Sequence, residues 1–170
     1  VDRPWIAMNI GARWPTKRWP IESFAAVVDQ LYEARHDPLV MIGGSEERAF
    51  TKKLKVLTKS PFIDLCGDIP LGCLPALLST STAMITNDSG PMHIAAALGI
   101  PVIAMFGPTS AARTGPYGTG HHVLSGQVPC SPCFSRVCRH NPEMECLHTV
   151  TPAQVIQVAQ LMLTAHVPCR

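Results

Sequence analysis

The sequence predicts an α/β domain built on a parallel sheet with helices on both faces. Three observations carry this. Short apolar runs alternate with segments of helical period along the 170-residue chain. The runs are continuous in apolar character instead of alternating, as strands covered on both faces require. Glycines, hydroxyls and charged residues collect just after several of these runs, where the chain leaves a strand for a helix.

The first run, Trp5 to Ile10, reads as a strand, and Ile21, Phe24, Val27, Val28 and Leu31 then fall on one helical stripe. Leu39 to Ile42 reads as the second strand and Phe50, Leu54 and Leu57 as the next stripe. A third strand at Phe62 to Leu65 leads to a short helix near Leu74 to Leu78. Ala83 to Thr86 precedes a helix after Pro91, and Val102 to Phe106 is the fifth strand. A weaker sixth strand lies at His122 to Leu124. The last helix starts at Thr151-Pro152, a capping residue followed by proline at the first helical position, and carries Val155, Ile156, Ala159, Met162 and Leu163. This order implies right-handed crossovers, with ligands at the carboxyl ends of the strands.

An apolar fraction of 46% and a charged fraction of 15% belong to a globular chain. A net charge of +2 with scattered basic residues argues against nucleic acid as a partner and suits an anionic small molecule. No run is long enough to span a bilayer, and the N-terminus lacks the pattern of a secretory signal. Val1 to Pro4 leads straight into an apolar run, so the chain is expected to begin inside a larger protein. Seven cysteines, an odd number without a secretory signal, point to reduced thiols.

The chemistry concentrates at three strand ends. After the first strand, Lys17 precedes a helix N-terminus, where a fixed cation and the helix dipole together favour phosphate; two tryptophans packed beside a solvated loop would be the plainer account. After the second, Gly43-Gly44-Ser45 allows a tight turn with Ser45 as helix cap. Glu46 is then a candidate for ribose hydroxyls, although from spacing alone service to the helix dipole by Glu46 or Glu47 is the preferred reading. After the fourth, Asn87-Asp88-Ser89-Gly90-Pro91 places a cap at Asp88 or Ser89, close backbone approach at Gly90 and His93 in the first turn. Ser89 is not read as a nucleophile, because its flanks lack the G-x-S-x-G frame.

These motifs resemble the C-terminal half of glycosyltransferase family nine, the ADP-heptose:lipopolysaccharide heptosyltransferases, and within it the type II enzymes. The residues that carry the resemblance are Lys17-Arg18-Trp19-Pro20 with Glu22 and Phe24, Asn87 to Ala97, Phe106-Gly107-Pro108-Thr109, Gly115-Pro116-Tyr117-Gly118, and Cys146-Leu147 through Val150-Thr151-Pro152. The resemblance implies a GT-B fold of two Rossmann-like lobes, with residues 1–170 forming the donor-binding lobe as one domain. The acceptor lobe, with its catalytic base, would lie outside this chain, so the chain alone is expected to bind and not to turn over. Lys17 would meet the donor diphosphate, Glu46 the ribose, Asp88 the sugar hydroxyls or a cap, and the N–H groups around Ser89 and Gly90 a phosphate oxygen, with His93 beside them. The implied partners are ADP-heptose and, through the other lobe, the lipopolysaccharide core, with no cofactor. The implied location is the cytoplasmic face of the inner membrane. The basic run Arg48, Lys52, Lys53, Lys55 and Lys59 offers a face to anionic lipid, though a solvated helix face is the preferred reading.

One segment stands apart, the insert at residues 126–150, rich in Cys, Pro and His. Cys130, Cys133, Cys138 and Cys146 contain one C-x-x-C, but the remaining pair is too widely spaced for a standard zinc pattern. A proline-rich loop with free thiols, or with disulfides formed on purification, is therefore preferred to a metal site. Outside the leading reading, a UDP-sugar-using GT-B enzyme or epimerase, or a stand-alone nucleotide- or metal-binding module, remains open.

Overall fold

The computed structural model describes residues 4–165. Its first apolar run, buried at every position, forms β1 (Ile6–Asn9). The others form β2 (Leu39–Met41), β3 (Ile63–Asp64), β4 (Ala83–Asn87), β5 (Val102–Phe106) and β6 (His122–Ser125). All pair in parallel in a six-stranded sheet of order β3-β2-β1-β4-β5-β6. The chain runs outward from β1 in one direction and from β4 in the other. The crevice at the carboxyl ends of β1 and β4 is thus the point where the strand order reverses, the usual ligand position in an open parallel sheet.

Seven α-helices accompany the strands: α1 (Ile21–Arg35), α2 (Arg48–Leu57), α3 (Leu74–Leu78), α4 (Gly90–Ala97), α5 (Ala111–Thr114), α6 (Glu145–His148) and α7 (Pro152–Ala165). Successive side chains of a strand point to opposite faces. In β1, Ile6 and Met8 therefore join one core with Phe24, Val27, Val28 and Leu31 of α1, Leu54 of α2 and Val155, Ile156, Ala159 and Leu163 of α7. Ala7 joins a second core with Leu74 and Leu78 of α3 and Met92 and Ala95 of α4. Both faces of the sheet are covered, as its apolar runs require.

The expected elements are present with shifted ends. β3 is reduced to two residues, because it is the outer strand and Ile63 is 50% exposed. The stripe of α2 turns on Thr51 and Leu54, with Leu57 exposed, so Leu57 is not a core position. Ser45 is not a cap. Residues Ser45–Glu47 form a 3-10 turn ahead of α2, and the Glu47 carboxylate accepts the Gly44 N–H at 2.9 Å. Thr151 does cap α7: its hydroxyl accepts the Gln154 N–H at 3.3 Å, and the Gln154 side chain accepts the Thr151 N–H at 2.8 Å.

Phe24 is fully buried against the edge of Trp19, with ring centroids 5.0 Å apart. Phe24→Ala should lower unfolding free energy by about 3–5 kcal/mol, read as a fall in the urea midpoint with an unchanged slope.

Candidate functional site

The site begins with one buried amide. Asn87, at the end of β4 and fully buried, accepts the backbone N–H of Trp19 at 3.0 Å and donates to the carbonyl of Ile10 at 2.8 Å. Its side chain thereby fixes the loop between β1 and α1 to the end of β4. Trp19 is held from a second side, since its indole N–H donates to the Val150 carbonyl at 2.9 Å. Asn9, opposite Thr86 in the sheet register, donates to the Ser89 hydroxyl at 2.7 Å.

These contacts shape a cleft of about 460 Å³ at the carboxyl ends of β1, β2 and β4. Its walls are the Gly11–Arg13 segment with Arg18, the Gly43–Glu47 turn and Ser89-Gly90-Pro91 at the start of α4. The backbone must come close here. A Cβ at Gly11 would strike the Glu47 side chain, whereas a Cβ at Gly90 would meet nothing within 4 Å and would stand in open space. Ser89 occupies the cap position of α4 in an extended conformation, but no side chain caps the helix. The first N–H groups of α4 consequently have no side-chain partner, an arrangement that suits an anion.

The charges separate into bound and exposed groups. Lys17 Nζ lies 2.7 Å from Asp88 Oδ2 and 4.6 Å from the centroid of the Trp14 ring. The same carboxylate oxygen accepts the Thr109 hydroxyl at 2.6 Å, and Asp88 is 5% exposed. Asp88 is thus the counterion of Lys17 and caps nothing, which replaces the capping role expected of it. Arg18 donates from Nε to the Ala12 carbonyl at 2.9 Å and stacks over Phe50, while Arg13 is exposed at the cleft rim. Glu46 is exposed in the cleft wall; Glu47 is buried in its floor.

The structure therefore brings Glu46, Ser89 and Gly90 together in the cleft. Lys17 and Asp88 form a pair that does not line it, and His93 is exposed in the first turn of α4, likewise outside the lining. The hydroxyl of Ser89 accepts from Asn9 at 2.7 Å and lies 3.2 Å from the Thr86 hydroxyl. Reasoning from sequence gave Asn9 no role, Glu47 only service to the helix dipole, and Thr109 only a place in the family resemblance. Beyond that, their only signal was polarity at the end of an apolar run. Arg48 of the basic run, itself exposed, donates to the Cys66 carbonyl and pairs with Asp68 at 2.6 Å. Cys130, Cys133, Cys138 and Cys146 all face one small cavity under the insert.

The family described as glycosyltransferase family 9 (heptosyltransferase) matches residues 1–143. The chain belongs to that family. Lipopolysaccharide heptosyltransferase 2 of Escherichia coli is 33% identical over 72% of this chain and 36% of its own length. Lipopolysaccharide heptosyltransferase 1 of Pseudomonas aeruginosa is 26% identical over 95% of this chain and 49% of its own. The solved structure of E. coli ADP-heptose lipopolysaccharide heptosyltransferase II superposes with a TM-score of 0.82 at 26% identity, covering 96% of this chain and 47% of the other. The chain spans about half the length, or less, of these family 9 relatives. No helix among the described residues is long and apolar enough to cross a membrane.

Two predictions follow from the polar frame. Asn87→Ala strands the Trp19 N–H and the Ile10 carbonyl, and should cost about 1–3 kcal/mol in denaturant unfolding. Cys66 lies behind the Gly43 turn, where burial first and Asp64 second push its thiol above the ordinary range. The folded state therefore keeps a proton that the unfolded state gives up. The stability this contributes is full at neutral pH and falls as pH rises past about 8.5, a slope that Cys66→Ala should flatten in thermal melts.

Proposed function

We propose that this chain is the donor-binding lobe of a heptosyltransferase that takes heptose from ADP-heptose and delivers it to a lipopolysaccharide core acceptor held by a second lobe. The observation that carries the reading is the cleft at the strand-order reversal, with the uncapped start of α4 on one wall and Arg13 and Arg18 on the other. Such a cleft fits a nucleoside diphosphate. The diphosphate lies against Ser89 and Gly90, where glycine lets an oxygen approach the backbone. Glu46, exposed and acceptor-only when ionised, takes the ribose hydroxyls. An adjoining apolar hollow of about 280 Å³, lined by Ile42, Ile69, Leu71, Leu74 and Pro91 and sharing Gly43 and Gly44 with the cleft, is the natural place for the base. One relative whose structure superposes on this chain is an ADP-heptose lipopolysaccharide heptosyltransferase by name, which favours adenine.

Sugar transfer leaves negative charge on the departing diphosphate. Arginine side chains and helix N–H groups that are in place before the reaction stabilise that charge without reorganising. Lys17 contributes as well: held by Asp88 and flanked by Trp14, its ammonium stands where a phosphate can compete with the carboxylate. His93 borders the same helix start. A base for the acceptor belongs to the other lobe, so the isolated chain binds donor without transferring sugar.

Thermal melts with ADP, UDP, GDP and ADP-heptose test this reading. At 100 times its dissociation constant the correct nucleotide should stabilise by about 2.7 kcal/mol. ADP should act where UDP and GDP do not, and stabilisation by UDP alone would point to a UDP-sugar enzyme. Glu46→Ala should weaken ADP about ten- to a hundredfold, the loss of a hydrogen bond to a charged group, with an unchanged melting temperature in the absence of ligand. Lys17→Ala should lower both affinity and stability, because it leaves the buried Asp88 carboxylate with Thr109 alone.

A further inference from the structure

The insert between β6 and α6, residues 126–144, runs without any regular element. A segment of this length inside a compact domain needs something to hold it. Its direct ties are few. Ser131 donates to the Gly107 carbonyl at 2.6 Å, Phe134 N–H to the Pro108 carbonyl at 2.7 Å, and the Ser135 carbonyl accepts the Thr16 hydroxyl at 2.8 Å. No disulfide joins Cys130, Cys133, Cys138 or Cys146.

Those four cysteines nevertheless line one cavity of about 20 Å³, together with residues that include Thr16, Pro108, His140 and Glu145. That space is the size of a single small occupant, since a water needs roughly 10–15 Å³. A wider hollow of about 310 Å³, lined by Cys130, Cys133, Cys138 and His140, lies beside it and gives a route to solvent. One backbone donor already faces this group of sulfurs: Cys138 Sγ accepts the Met144 N–H at 3.3 Å. Gly107 allows the close fit, for a Cβ there would meet Leu147 at 2.7 Å and Cys146 Sγ at 3.1 Å. His140 and Glu145 pair with each other at 2.6 Å at the same wall and are thereby occupied. The described side chains do not already stand as a closed ligand set, so the thiols have to turn inward to bind.

We infer that Cys130, Cys133, Cys138 and Cys146 hold one thiolate-favouring divalent metal, zinc or iron, which staples the insert onto the loop between β1 and α1. Four thiolates in tetrahedral array are what either ion accepts. On binding, each thiol gives its proton to solvent and the metal replaces it. The staple reaches the donor site through two contacts: Thr16 with Ser135, and the Trp14 ring, which has Lys17 4.6 Å and Arg136 of the insert 5.2 Å from its centroid.

Cobalt(II) titration of the chain under reducing conditions tests the site without any variant. Tetrathiolate coordination should give sulfur-to-metal and visible cobalt bands that saturate at about one equivalent and vanish when zinc is added. Elemental analysis of the purified chain should find about one zinc or iron per chain, absent in Cys130→Ser/Cys133→Ser and retained in Cys66→Ser/Cys73→Ser. Metal removal should lower the melting temperature and weaken ADP in the wild-type chain. A reduced chain that binds ADP but shows no such cobalt bands and takes up neither zinc nor iron(II) would overturn the inference. So would a Cys130–Cys133 disulfide found by mass spectrometry in the purified chain.

Discussion

The side chain of Asn87 is the contact on which the rest of the site depends. It is fully buried at the end of a central strand, where an amide has to be paired on both its oxygen and its nitrogen. It finds those partners in the backbone of the neighbouring loop, at Trp19 and Ile10. The loop that carries Arg13, Lys17 and Arg18 is thereby fixed to the strand that launches Ser89 and Gly90. Cations from one crossover and helix N–H groups from another meet across the cleft because a single amide ties the two together.

The electrostatics of the cleft follow from how each cation is held. Lys17 is neutralised in the unliganded state by Asp88, whose own position is secured by Thr109. A carboxylate at the entrance of a diphosphate site would repel the ligand. Paired with Lys17, it instead holds the ammonium in place at a modest cost in net charge. Arg18 is oriented by the Ala12 carbonyl and the Phe50 ring, so that its position, too, is set before a ligand arrives. Preorganised charge of this kind is what a developing leaving-group charge requires.

Much of this was legible in the sequence, and the reasons for success and failure are physical. The strands of the sheet interior declared themselves because both of their faces are covered: β1, β4 and β5 are buried at every position, and polar residues enter only at the carboxyl ends of β1 and β4. β3 was overdrawn because an outer strand is short and half-solvated, and its ends carry no such signal. The glycines and the α4 start were readable, since turn chemistry is local, but the side-chain caps expected at Ser45 and at Asp88 or Ser89 do not form. The Lys17–Asp88 pair and the buried role of Glu47 were not, because each depends on two loops brought together only by the sheet order. The same holds for the cysteines. Their spacing matches no standard metal pattern, yet the fold gathers all four around one cavity.

The central claim is that the donor diphosphate lies between the α4 start and the β1–α1 loop. The most direct measurement is the amide spectrum of the isotope-labelled chain during titration with ADP. The largest shifts should fall on Gly11, Gly43, Gly44, Ser89 and Gly90, with the Lys17 side-chain signal moving as phosphate competes with Asp88. If ADP binds while those amides stay still and shifts gather elsewhere on the sheet, the account of the site is contradicted.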